Sequence, residues 1–371
     1  MRIALFCTNF YPTPPRRSEK MIYAPLWLTH YLAEGLVKKG HKVFLFGSSD
    51  TKTSATLISE NIPSIRRNKK WLSAYSKSDK TWKEIMKTNY EFSLLVKMYE
   101  MAKEDKFDII QLHSRINALH IAPFVQKPIC FTYHNPFNYP VETSSSKLIF
   151  KFLQNNISTN VHFISLSNAQ RKPLPDLNYA ATVYNGTDIK RFSFNDKRGN
   201  YLAFAGRILP QKGIHIAIRV AEKTGKKLKI AGEIPRDHLD YWNTKVKPHL
   251  SKKITYEGML DQDQMVKFYQ KAEALIHPTL LEESFGLVLT EAMACGTPAI
   301  AFNRGAIPEV IKNNKTGYVV KNQAEMIKAV KKIDEIKKED CRKWVEKNFT
   351  IEKMIDNYEK VYHKILKKKK Q

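Results

Sequence analysis

The sequence predicts an α/β protein built from two Rossmann-like domains facing a central cleft, and three observations predict it. Short β-rich runs alternate with longer helical ones, the pattern of parallel sheets joined by crossover helices. That rhythm fills the first half of the chain and restarts near Tyr201. At 371 residues the chain exceeds one ordinary core, and 43% hydrophobic residues are enough to fill two.

The elements follow in order. Ile3–Cys7 reads as the first strand, and Ala24, Leu28, Leu32 and Leu36 form one face of a helix at spacing four. Gly40 ends that helix, and Lys42–Phe46 is the next strand. Asp108–Leu112, Ile129–Tyr133 and His162–Leu166 read as later strands of the same sheet. After Thr182–Tyr184, Asn185-Gly186 marks a turn, and the polar stretch to about Gly199 reads as a linker. The second series is Tyr201–Ala205, Lys227–Ala231, Ile254–Tyr256, Ala274–Ile276, Ala299–Phe302 and Gly317–Val320, with a lysine-rich, mostly helical end from Ala324 to Lys370. Ligands of open α/β sheets sit beyond the carboxyl ends of the strands, so the cleft between the domains is the expected site.

Composition narrows the setting. Cys7, Cys130, Cys295 and Cys341 form no close-spaced pair, which argues against a zinc site or disulfide framework and fits a reducing compartment. The first apolar run is too short for a signal peptide, and no later run approaches the roughly 20 residues of a membrane span, so a cytoplasmic protein is expected. The formal net charge of +26 draws the chain toward polyanions: nucleic acid, an anionic membrane face or phosphorylated substrates.

The most informative stretch runs from Ile276-His277-Pro278 through Glu282-Glu283-Ser284-Phe285-Gly286 to Glu291 and Gly296-Thr297-Pro298. A strand ends near Ile276, a loop carries both Glu282 and Glu283, and a helix opens near Gly286 and closes at Gly296. A helix amino terminus facing a cleft offers free N–H groups to a diphosphate. Glu283 before the helix and Glu291 inside it are natural acceptors for the hydroxyls of a sugar and of a ribose.

Glu283 and Glu291 enclose seven residues, and the string resembles the glutamate–seven–glutamate motif of glycosyltransferase family 4. Gly206-Arg207 with Lys212-Gly213 resembles that family's basic pair, and Asn185-Gly186-Thr187-Asp188 its interdomain turn. Arg304-Gly305 through Pro308-Glu309 resembles a further loop, and Phe349-Thr350 opens what resembles its closing helix. The resemblance covers most of the chain. It implies the GT-B fold, with an acceptor domain over 1–190, a donor domain over 191–350, and a closing helix over 351–371 that returns to the first domain. It further implies a retaining, metal-independent hexosyltransferase that uses a nucleotide-sugar as substrate and needs no cofactor. UDP-sugars are favoured over GDP-sugars, with a lipid-linked or glycan acceptor.

By that resemblance Arg207 and Lys212 grip the diphosphate, Glu283 meets the transferred sugar, and Glu291 meets the ribose. Gly206, Ser284, Phe285, Gly286, Leu287 and Val288 complete the donor site, largely through backbone. His134 in Phe131-Thr132-Tyr133-His134-Asn135 resembles the strand-end histidine near the reacting sugar, and His113 resembles a second one. The plainer alternatives are solvated helix-end acids, surface charge, and a buried histidine satisfied by backbone. Asp261-Gln262-Asp263 is expected to cap a helix rather than hold a metal. One departure stands out: where family members carry a glycine pair, this chain reads Pro14-Pro15-Arg16-Arg17-Ser18. Arginine side chains then replace backbone contacts, the loop serves an unusual acceptor, or activity is lost.

Arg66, Arg67, Lys69, Lys70 and Trp71, followed by Trp82 and further lysines, suit an anionic membrane surface. Lys367, Lys368, Lys369 and Lys370 form a second cluster, which the closing helix could bring to the same side. Such docking would make the protein peripheral on the inner membrane face. Two other functions stay open at this point: a GT-B epimerase or phosphorylase, and a nucleic-acid-binding or DNA-glycosylating protein. Against specific nucleic-acid binding, the chain shows no zinc-finger, helix-turn-helix or RNA-binding signature.

Overall fold

The computed structural model describes residues 1–15, 24–113, 116–137, 148 and 159–368. Two parallel sheets dominate it. The first has seven strands: β1 (Arg2–Phe6), β2 (Lys42–Phe46), β3 (Thr56–Ile58), β4 (Ile109–Leu112), β5 (Ile129–Thr132), β6 (Val161–Ser165) and β7 (Tyr179–Thr182). Their spatial order is β3-β2-β1-β4-β5-β6-β7. The second has six: β8 (Leu202–Ala205), β9 (Leu228–Ala231), β10 (Ile254–Gly258), β11 (Ala274–His277), β12 (Ala299–Phe302) and β13 (Gly317–Val320), in the order β10-β9-β8-β11-β12-β13. Both orders reverse direction at one place, between β1 and β4 and between β8 and β11. A crevice opens there at the carboxyl ends of the strands.

The central strands are apolar on both sides because helices cover both faces. On one face of the first sheet, α3 (Lys80–Lys103), which follows the short α2 (Lys69–Lys77), sets Leu94, Leu95 and Met98 against Phe6, Phe46 and Ile110. On the other face lie α1 (Ala24–Lys38) and the last helix of the chain, Ile351–Lys368. That last helix carries Ile351, Met354, Ile355, Tyr358, Val361, Tyr362 and Ile365 at helical spacing, all buried on the first domain. Each such side chain contributes about 1.5–3 kcal/mol when fully buried. Its hydroxyls are placed too: Tyr358 lies 3.1 Å from Thr132 Oγ1, and the Tyr362 hydroxyl donates to Gln111 Oε1 at 3.1 Å.

The fold is therefore GT-B in layout, with the closing helix returned to the first domain. The edge strand β3 was not expected from the sequence. Among the described residues no helix is long and apolar enough to cross a membrane. All four cysteines are buried, and among the described residues none forms a disulfide.

Candidate functional site

The second domain brings three loops together. Strand β8 ends at Gly206-Arg207, a single turn over Pro210–Lys212 follows, and Gly213 starts helix α4 (Ile214–Thr224). Gly213 has φ +72°, and a Cβ there would lie 2.0 Å from the Pro278 carbonyl oxygen. Only glycine lets this turn close on the loop after β11. The same approach is locked by Leu280 N–H donating to Gln211 O at 2.8 Å.

Glu283 sits where these loops meet. Lys212 Nζ donates to its Oε1, and His277 Nε2, at the end of β11, lies 3.2 Å from the same oxygen. Burial by itself would raise the Glu283 pKa, but Lys212 and His277 together overcome it and hold the carboxyl well below the usual range. An ionised carboxylate can only accept, so His277 Nε2 carries the proton. The third loop, after β12, closes over the backbone: Ala306 N–H donates to Glu283 O at 2.8 Å, and Gly305 N–H to Glu282 Oε2 at 2.5 Å.

Glu291 lies in α6 (Leu287–Ala294), whose amino end is Gly286. It is half-buried with no paired cation among the described residues, and the Tyr269 hydroxyl, from the end of α5 (Gln262–Gln270), donates to its Oε2 at 3.1 Å. Burial dominates and raises its pKa to about 7, with the Tyr269 bond opposing the rise. Near neutral pH Glu283 is therefore fixed as a carboxylate, while Glu291 is divided between its ionised and neutral forms. Asp261 is the cap of α5, in a capping box with Gln264.

A cavity of about 190 Å³ joins the domains at this point. Gly206, Gly232, Leu260, Leu287, Val288 and Glu291 line it from the second domain; Trp27 and Tyr31 of α1 line it from the first, and Gly186–Asp188 from the linker. Two buried oxygens nearby have no hydrogen-bond partner among the described residues, Gln262 Oε1 in the cavity wall and Ser284 Oγ in the Glu283 loop. Arg207 is half-buried. Phe285 contributes no side chain to the cavity, because its ring is core, packed on Tyr184 and Phe349.

On the first domain, His113 follows β4 and His134 follows β5, and His113 Nδ1 lies 3.0 Å from His134 Nε2. Desolvation lowers both, His134 to about 4 and His113 well below its ordinary value, so at neutral pH the pair shares one hydrogen between two neutral rings. His113 Nε2 is buried with no hydrogen bond among the described residues, and Tyr358 of the last helix stands edge-on to its ring. Arg16, Arg17 and Ser18 lie outside the described residues, as do Lys369 and Lys370.

The domains are also tied by a carboxylate. Glu309, after the Gly305 loop, accepts from the N–H groups of Asn168 and Ala169 at 2.9 and 2.7 Å and from the Tyr184 hydroxyl at 2.8 Å. Sequence reasoning did not single out His277, Tyr269, Trp27 or Tyr31. His277 was legible as a histidine ending the strand before the Glu283 loop, whereas nothing local marks Tyr269 as the partner of Glu291.

One expectation fails. Helix α2 lies near the carboxyl end of β1, where Phe10 packs on Tyr75, and its neighbour α3 covers one face. The last helix covers the opposite face and runs from Thr132, at the end of β5, down to His41, just before β2. Lys367 and the Arg66–Trp71 cluster therefore lie toward opposite ends of the strands.

Two family models match the chain, one for Glycosyl transferases group 1 over residues 186–351 and one for Glycosyltransferase Family 4 over residues 27–191. Among curated relatives, an uncharacterized 41.2 kDa protein in the cps region of Klebsiella pneumoniae is 26% identical over 304 residues, 73% of this chain and 82% of that one. The N-acetyl-alpha-D-glucosaminyl L-malate synthase of Bacillus anthracis is 26% identical over 314 residues, 75% of this chain and 80% of that one. Among solved structures, Anabaena HepE in complex with UDP and glucose superposes with a TM-score of 0.71 at 13% identity, over 98% of this chain and 100% of that one.

Proposed function

Because the chain belongs to the group 1 glycosyltransferases of family 4 and has the GT-B fold, we propose that it is a retaining hexosyltransferase moving a sugar from a UDP-sugar to a lipid-linked or glycan acceptor. The observation that carries this reading is the pair of glutamates on either side of Gly286 at one cleft, Glu283 held by Lys212 and His277 and Glu291 in the wall of the interdomain cavity. UDP is chosen as the nucleotide bound by the Anabaena neighbour.

In this reading the base and ribose occupy the interdomain cavity, with Glu291 accepting from the ribose hydroxyls. Glu283, kept ionised by Lys212 and His277, accepts from hydroxyls of the transferred sugar. Lys212 has ammonium hydrogens beyond the one given to Glu283, and with Arg207 it meets the diphosphate, offsetting charge as the leaving group departs. Ser284 Oγ and the N–H groups of Phe285, Gly286 and Leu287 complete the donor contacts. His134 lies beside the reacting sugar. The departing phosphate takes the acceptor proton on the face it leaves, so the anomeric configuration is kept. No cofactor or metal ion enters this scheme.

Nucleotide-sugars are tested without added metal, by thermal shift and by slow hydrolysis, on the wild type, on Glu291→Ala and on the double change Arg207→Ala with Lys212→Ala. A shift with one sugar nucleotide, lost in both variants, supports the reading; no shift with any donor sinks it. The anomeric configuration of the product, read by NMR, tests retention. We further propose that α2 docks on anionic lipid. None of its residues is buried; Trp71, next in sequence to Lys69 and Lys70, is 41% exposed, and Trp82 at the start of α3 is 58% exposed. Liposome flotation that ignores lipid charge would remove this part.

A further inference from the structure

A second pocket, of about 490 Å³, adjoins the interdomain cavity and shares Trp27, Tyr31 and Asp188 with it. Pro14 and Pro15 reach it from the loop after β1, and Asp50 and Lys52 from the loop after β2. It therefore opens at the carboxyl ends of those strands, where sheets of this kind take ligands.

Its acids are already engaged. Asp50 accepts from Ser64 N–H at 2.8 Å and Ser64 Oγ–H at 2.7 Å, and it pairs with Arg67 Nε at 3.1 Å. Asp188 accepts from the Tyr31 hydroxyl at 2.9 Å and from the N–H groups of Lys190 and Arg191, both at 3.1 Å. Its cations keep donors in reserve. Arg67 lines the pocket with a side chain 32% exposed, its Nε 3.1 Å from Asp50 Oδ2. Arg191 is stacked on Trp27, 5.0 Å from the ring centroid, and its Nη1 is buried with no hydrogen-bond partner among the described residues. His30 Nδ1, on the same wall, is buried 3.9 Å from Glu34 Oε1 and has no hydrogen bond among the described residues. A buried donor without an acceptor is costly, and a planar guanidinium fork fits two oxygens of one anion.

We propose that this pocket binds the phosphate or carboxylate group of the sugar acceptor, an inference that rests on the transferase reading. Arg67 and Arg191 grip the oxyanion, Lys52 adds charge at the rim, and the shared wall of Trp27 and Tyr31 sets the acceptor beside the donor. A neutral sugar would leave those donors unmet, so the acceptor class is anionic.

Inorganic phosphate, glycerol 3-phosphate and glycerol are titrated by calorimetry, without any donor, into the full chain and into Arg67→Gln, Arg191→Gln and Lys212→Met. Both anions are expected to bind, glycerol not, with affinity falling tenfold or more in Arg67→Gln and in Arg191→Gln and holding in Lys212→Met. UDP titrated into Arg67→Gln and Arg191→Gln reports that the cleft is still folded, and the unfolding temperature does so for Lys212→Met. Four results overturn the proposal: no phosphate binding to the wild type, glycerol binding as well as glycerol 3-phosphate, phosphate binding indifferent to Arg67 and Arg191, or binding lost only in Lys212→Met. Glycerol 3-phosphate that fails to displace phosphate would assign the pocket to a free anion and overturn the acceptor assignment. UDP failing to bind the wild type would count against the transferase reading alone, since the phosphate arm needs no donor.

Discussion

The two sheets shape the cleft by different means. On the second, backbone does most of the shaping: Gly213 and Gly305 let three loops meet at distances no side chain permits, and Glu283 is held in the middle. On the first, side chains do it, with the His113–His134 couple, Arg67 on Asp50 and Arg191 on Trp27. A surface built from backbone needs glycine at fixed places and tolerates little change. A surface built from side chains can be rewritten residue by residue, which suits a half that must recognise an acceptor.

Four experiments can break or sharpen that contrast. The largest effect is expected from Lys212→Met, which removes the partner of Glu283 and a diphosphate contact at once. Transfer should fall about 10²–10³-fold, as for loss of one preorganised charge contact, in steady-state assays with thermal stability retained; a loss under tenfold would make the ion pair merely structural. Gly305→Ala comes next. Its φ of +55° costs about 1–3 kcal/mol in any L residue, and the added Cβ would also lie 2.3 Å from Glu283 O. Gly225→Ala, at φ +68° with nothing within 4 Å, meets the strain alone. Denaturant unfolding should show Gly305→Ala to be clearly the worse, and equal losses would refute the close-approach argument.

Third is the pH dependence of nucleotide binding. Ribose hydroxyls need an ionised Glu291, and its raised pKa of about 7 means that protonation is lost as pH rises through that value. Affinity for uridine should therefore rise about tenfold between pH 6 and 8, the change in ionised fraction of one such group. The slope should vanish in Glu291→Gln, and a flat wild-type profile would place the ribose elsewhere. The smallest effect is expected from Glu309→Ala. It removes three hydrogen bonds between the domains but no proposed donor contact, at about 0.5–1.5 kcal/mol each. Faster proteolysis in the 188–199 linker, with UDP affinity shifted less than threefold, is the expected signature.

This contrast also explains what could be read in advance. The central strands were legible because burial on both faces writes continuous apolar runs, and β2, β12 and β13 fall on the expected residues. The Glu283 loop was legible because its glycines and acids are local in sequence. The edge strand β3 was not, being three residues long and only partly buried. Nor were the partners that set the chemistry: Tyr269 reaches Glu291 across 22 positions, and Arg191 reaches Trp27 from the linker between the domains. Pairings of that kind depend on the closed fold, and no short window of residues contains them.

The return of the last helix to the first domain bears on how the chain comes into being. During synthesis the face of the first sheet formed by Ile3, Leu5, Val43 and Leu45, together with Leu28, Leu32 and Leu36 of α1, is made early. The helix that covers it emerges only after the whole second domain has left the ribosome. Until then an apolar face stands open to solvent or to a chaperone, and the first domain cannot finish folding ahead of the second. Premature release of the chain would therefore injure its oldest part, and quality control can read completion of the end from the state of the beginning.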